Sequence, residues 1–172
     1  MVFMDGSNIF RTAKAIRPNL LVDYAKLLKE LVGSRNLIRA YFYSGIKVPP
    51  QEKQIKFHHR LKYQGITVVT KPLRQRTTTC PNCKQAHVGF VEKGVDVALV
   101  TDMLGMAFKN AYDSAILVSA DKDYEGAIEE VKRLGKRIEI AAFEHAISED
   151  MKMLADRPFI SLTQILDRIE VK

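Results

Sequence analysis

Short apolar runs alternate along this chain with longer stretches in which apolar residues recur every three or four positions. The first run, Val2-Phe3-Met4, is apolar at consecutive positions, the pattern of a strand buried on both faces. Segments 37–44 (LIRAYFYS), 66–70 (ITVVT), 115–119 (AILVS) and 137–142 predict further strands, and 159–162 a short last one. Helical spacing predicts helices over 9–15, 24–32, 51–64, 95–111, 121–134, 147–155 and 163–169. Asp23 is placed to cap the second helix and Gly33 to end it. Strands alternating with helices of this length predict an α/β fold, a central parallel sheet flanked by helices on both faces. At 172 residues the chain is expected to be one domain.

Segment 72–92 breaks that rhythm. It holds two prolines, the run Thr77-Thr78-Thr79 and both cysteines of the chain, and reads as an insertion after the third strand. Insertions at strand ends are where binding loops sit. The formal charge of +7 favours an anionic partner, nucleic acid first. No apolar run is long enough to span a bilayer, and no basic stretch leads into a long apolar run at the start, so a cytoplasmic protein without a membrane partner is expected.

The chemistry gathers at the ends of the predicted elements. The first strand stops at Asp5-Gly6-Ser7-Asn8, where a glycine permits a sharp turn and Ser and Asn are helix-capping types. Asp96 opens the long helix, and Asp121 and Asp123 follow the fourth strand in Ser119-Ala120-Asp121-Lys122-Asp123. If the first and fourth strands are neighbours, these carboxylates meet at the carboxyl edge of the sheet, where open α/β folds bind ligands. Two carboxylates about 5 Å apart repel by roughly 3 kcal/mol at an effective dielectric near 20. Protonation relieves that repulsion, and so does a divalent cation. Oxygen ligands without a converging His or Cys suit Mg2+ or Mn2+. Asp96 and Asp121 also have a plainer reading as helix caps. Asp102 lies about 240° round the helix from Asp96, so it is expected in a supporting or solvent-facing position with Ser7 and Ser119.

FMDGSN, EKGVDVALVTDM and LVSADKDY, in that order and spacing, resemble the three signature segments of the NYN domain in its LabA-like branch, part of the PIN-like nuclease superfamily. The resemblance runs from about Val2 to Ala142. It implies a Rossmann-like PIN fold and a metal-dependent ribonuclease site, with Asp5 and Asn8 supplied by the first segment, Asp96 by the second, and Asp121 and Asp123 by the third. Asp102 also matches a family position.

Cys80-Pro81-Asn82-Cys83 with His87 has the spacing of a zinc half-site. Three ligands leave it open; the fourth is water, His58, His59 or a residue of a second chain, which admits a homodimer. The plainer reading is a pair of inert thiols in a loop. Arg74, Arg76 and Lys84 of the insertion, with Lys93, are candidate contacts to a nucleic-acid backbone. A second basic group lies on the third helix, from Lys53 to Lys62. The expected function is hydrolysis of RNA by Asp5, Asp96, Asp121 and Asp123 with Mg2+ or Mn2+, Asn8 positioning metal, water or phosphate. The alternative is a catalytically weak RNA-binding or regulatory module of the same fold. A phosphatase of the haloacid dehalogenase type is disfavoured because Ser7 stands where a second Asp is needed, and no glycine-rich nucleotide motif is present.

Overall fold

A computed structural model describes residues 1–79 and 81–171. Its strands are β1 (Val2–Asp5), β2 (Ala40–Ile46), β3 (Ile66–Pro72), β4 (Arg74–Thr79), β5 (Ala86–Val91), β6 (Ser114–Val118), β7 (Arg137–Ala142) and β8 (Ile160–Ser161). Its helices are α1 (Gly6–Ile16), α2 (Tyr24–Val32), α3 (Glu52–Tyr63), α4 (Val95–Phe108), α5 (Glu125–Arg133), α6 (Glu149–Met153) and α7 (Leu166–Ile169). Six strands form one parallel sheet in the order β3-β2-β1-β6-β7-β8. The expected neighbours, first and fourth of the predicted strands, are β1 and β6, with Val2 opposite Ile116 and Met4 opposite Val118.

Alternation along each strand builds two cores. Phe3, Tyr41, Tyr43 and Leu117 face α4 and α5, where Leu99, Met103, Ile128 and Val131 meet them. Val2, Met4, Phe42 and Val118 face the opposite layer, which supplies Ile9 from α1, Leu27 and Leu31 from α2 and Leu61 from α3. Burial on both faces explains why β1 reads as unbroken apolar sequence.

Several boundaries differ from the pattern. β2 begins at Ala40 rather than 37, because Ala40 is the residue that pairs with Val2; Leu37 and Ile38 are exposed. α1 starts at Gly6, three residues earlier than expected. Its cap is Asp5 rather than Ser7 or Asn8. Gly6 is there for closeness rather than for a left-handed turn: a Cβ on it would lie 2.2 Å from the Phe42 ring. The expected helix 121–134 is a 3-10 turn over Lys122–Tyr124 followed by α5. The insertion forms a two-stranded antiparallel hairpin, β4 with β5, exposed along both strands. Among the described residues no helix is long and apolar enough to cross a membrane.

Candidate active site

β1 lies between β2 and β6, so it carries Asp5 to the middle of the carboxyl edge. The helix after β1 packs on one face and the helix after β6 on the other, which opens a crevice between the two strands. Asp5 is 6% exposed. Its Oδ1 accepts from the Asn8 backbone N–H (2.9 Å), and its Oδ2 accepts from Ser119 Oγ (3.2 Å) and Tyr124 Oη (3.1 Å). Burial pushes the Asp5 pKa above the ordinary value of 3.8. The bonds from Asn8, Tyr124 and Ser119 pull it back, and the nearby Glu92 carboxylate pushes it up again.

The 119–124 turn wraps this carboxylate. Ser119 Oγ donates to Asp5 and accepts from the Asp121 N–H, while Asp121 Oδ1 accepts from the Asp123 N–H and caps the 3-10 turn. The capping reading of Asp121 therefore holds alongside any catalytic one. Asn8 Oδ1 accepts from the Ala120 N–H (3.1 Å), which ties α1 to this turn. An amide whose oxygen is so held keeps its two N–H donors on the other side. Tyr124 sits between the acids. Burial raises its hydroxyl pKa most, then Asp5, with Asp96 and Asp121 adding to it.

Only Asp5 bonds that hydroxyl, with Asp96 and Asp121 acting on it through their charge; Asp123 is exposed in the turn and Asp96 on the first turn of α4. They do not make a closed cage: among the described residues no three His, Cys, Asp or Glu side chains stand close enough to hold one metal ion. The donor set still fits magnesium chemistry. Mg2+ keeps several waters and needs only one or two carboxylates, with substrate phosphate completing its shell.

Glu92 is a site residue that the sequence reading did not single out. Its Oε2 accepts from Ser7 Oγ (2.6 Å) and the Gly45 N–H (2.5 Å), tying the foot of the hairpin to α1 and β2. Its signal was its place beside Lys93-Gly94-Val95-Asp96. Tyr124 was missed as well, as were Arg11 and Lys122. These two flank a groove of about 350 Å³ that Asn8, Thr12 and Asp121 also line. A wider depression of about 680 Å³ lies at the opposite end of the strands, beside Arg39 and Gly65, away from these acids. Asp102 accepts from Tyr43 Oη (3.0 Å) and so bonds to the residue opposite Asp5 on β2.

Of the three zinc ligands expected in the insertion, two are described. Cys80 lies outside the described residues. Cys83 is a free, exposed thiol, and His87 is exposed on β5 opposite Thr78. His58 is not a spare ligand: it is 6% exposed, with Nε2 3.3 Å from Ser44 Oγ, and burial followed by Lys62 and His59 lowers its pKa. Arg74 and Arg76 lie on one face of the hairpin with His87, while Phe90 and Val88 lie on the other. Lys84 takes a left-handed conformation (φ 56°) in the hairpin turn, and Lys93 is exposed beside Glu92.

Comparison with known proteins follows the same lines. The chain is 27% identical over 173 residues to the low amplitude and bright protein LabA of Synechococcus elongatus, covering 98% of this chain and 86% of that protein. It superposes on the crystal structure of a protein of unknown function from Vibrio parahaemolyticus with a TM-score of 0.75, at 22% identity, covering 99% of this chain and 94% of the other. The NYN domain model matches residues 1–163. With nearly the whole chain inside that match, this protein belongs to the NYN domain family.

Proposed function

We propose that this protein is a metal-dependent ribonuclease whose centre is the crevice between β1 and β6. One observation carries the reading. A buried carboxylate, Asp5, stands at the carboxyl end of the central strand, and Asn8, Glu92, Asp96 and Asp121 reach the same edge from three separate connections. A nuclease-type fold, a net charge of +7 and an exposed hairpin bearing Arg74, Arg76 and Lys84 suit an RNA partner.

One or two of Asp5, Asp96, Asp121 and Asp123, with waters and substrate phosphate, would hold Mg2+ or Mn2+. Such an ion supplies Lewis-acid chemistry, offsetting phosphate charge and easing the ionisation of water. The chain's own groups do the rest. Tyr124 and Ser119 hold Asp5 in one orientation by donating to Oδ2. Asn8, fixed through its oxygen by Ala120, presents N–H donors to a phosphate in the groove. Arg11 and Lys122 flank that groove and hold the flanking backbone. Asp123 belongs to this acidic edge as an exposed outer carboxylate. A zinc ion bound by Cys80, Cys83 and His87 would stiffen the hairpin tip.

The test is cleavage of labelled RNAs and single-stranded DNA by wild type and Asp121→Asn, in Mg2+, in Mn2+ and in EDTA. Metal-dependent RNA cleavage that the variant loses supports the proposal. Intact RNA in both metals, or equal cleavage by the variant, overturns it. A second reading, an RNA-binding regulatory module, has one observation in its favour: Asp5 already bonds through both oxygens inside the protein.

A further inference from the structure

Beside the acidic edge, between α1, α2, β2 and α3, lies a cavity of about 190 Å³ that the hydrolytic chemistry does not use. It shares Gly6, Ser7 and Gly45 with that edge, and Ser7 is the residue that donates to Glu92. Its walls are aromatic. Phe42 meets Tyr24 edge-on at 4.9 Å between centroids and Phe57 at 5.6 Å, and Phe10 stands beside them 57% exposed, with Lys14 Nζ 5.5 Å above its ring. Its polar atoms come from the Ser44–His58 pair, from Gln54 and from Tyr24. Ser44, His58 and Gln54 are engaged with neighbours. Tyr24 is 8% exposed, and its hydroxyl makes no hydrogen bond to another described side chain.

An exposed phenylalanine thus stands beside a largely buried tyrosine whose hydroxyl is still open to solvent. Aromatic faces with a few hydrogen-bonding atoms are how proteins hold single-stranded bases. The volume sets the scale. At roughly 30 Å³ per water it holds about six waters, below the 300–1,000 Å³ of a site for a whole small molecule. That is room for one ring system, with its sugar and phosphate left outside. Gly6, Ser7 and Gly45, common to cavity and edge, leave the sugar and phosphate on the side of Asp5.

We propose that this cavity receives one unpaired base of an RNA strand and thereby positions the neighbouring phosphate at the acidic edge. This rests on the reading that the substrate is RNA. Phe10 and Phe57 flank the base, and Tyr24 Oη bonds its edge. Duplex RNA, whose bases are stacked and paired, cannot enter.

The test compares an oligoribonucleotide with an abasic strand of equal length, by fluorescence anisotropy in EDTA so that no cleavage intervenes. Wild type is expected to bind the intact strand roughly tenfold more tightly. Phe10→Ala and Tyr24→Phe are expected to shrink that ratio at least threefold while leaving abasic binding unchanged. Phe10 is exposed and Tyr24→Phe removes one oxygen, so both variants keep the fold, as thermal melts will show. Equal affinity for the two strands, or variants that weaken both equally, overturns the inference. Cleavage of the intact strand in Mg2+ is scored separately. Base-dependent binding without cleavage leaves the cavity standing and removes the nuclease reading. Cleavage without base dependence does the reverse.

Discussion

The carboxyl edge at β1 and the hairpin of β4 and β5 are two answers to the problem of placing charge. At the edge, Asp5 is buried and every bond it makes is with the protein. On the hairpin, every described residue of both strands is exposed, and the ammonium of Lys47 lies 4.8 Å from the ring centre of Phe90. The edge fixes geometry at a cost in stability. The hairpin offers charge that salt can screen and that tolerates change. Chemistry that needs atoms held in place belongs in the first setting, and capture of a long anion in the second.

Asp5→Asn should break the contrast hardest. Cleavage in Mg2+ is expected to fall at least about a hundredfold, the scale for removing one preorganised electrostatic group. The same variant has a stability signature. A carboxyl group whose pKa is raised on folding contributes most below its unfolded value, near 3.8, and that contribution is lost as pH rises through the higher folded value. Denaturant melts from pH 4 to pH 7 should therefore show wild type losing ground steadily to Asp5→Asn. A difference independent of pH would mean that Asp5 is not destabilised by its burial.

Metal should offset that penalty. Mg2+ at about a hundred times its dissociation constant is expected to stabilise wild type by about 2.7 kcal/mol. Chelation should remove the gain, and Asp121→Asn should not show it in thermal melts.

Paired glycine substitutions sharpen the comparison without touching a charge. Gly6→Ala drives a methyl into the Phe42 ring, which must shift against Tyr24 and Phe57, and should cost about 1–3 kcal/mol in urea melts. Gly89→Ala on β5 meets nothing nearer than the Arg76 carbonyl oxygen at 3.9 Å and should stay within about 0.5 kcal/mol of wild type. The smallest structural effect belongs to Arg74→Ala with Arg76→Ala. Melts should not change, while the slope of log affinity for single-stranded RNA against log salt should fall by about 1.4, two phosphate contacts at about 0.7 each.

How far the sequence could be read depended on how local each feature is. Val2-Phe3-Met4-Asp5 predicts a buried strand delivering an acid, and Asp23 with Gly33 brackets α2, because both signals sit within a few residues. The hairpin escaped because its strands bury nothing, so Arg-Gln-Arg-Thr-Thr-Thr carries no apolar alternation for pairing to leave a mark on. Glu92 and Tyr124 escaped for another reason. Their partners, Ser7 and Asp5, are 85 and 119 residues away, and no spacing rule reaches across that distance. The motifs predict the four aspartates as a set but carry no distances: the sequence places Asp96 and Asp123 with the others, whereas the fold leaves both exposed.

The 119-residue span between Asp5 and Tyr124 also bears on timing. A growing chain emerges from the ribosome, itself built largely of RNA, with Asp5 leading Tyr124 by those 119 residues. Until β6 and the turn after it have been synthesised and have docked against β1, Asp5 has neither Ser119 nor Tyr124 to hold it. On the ribonuclease reading, a partly made chain is harmless to the machine that makes it. The same order makes any break between residues 8 and 119 that separates the two halves an off-switch, wherever in that interval it falls.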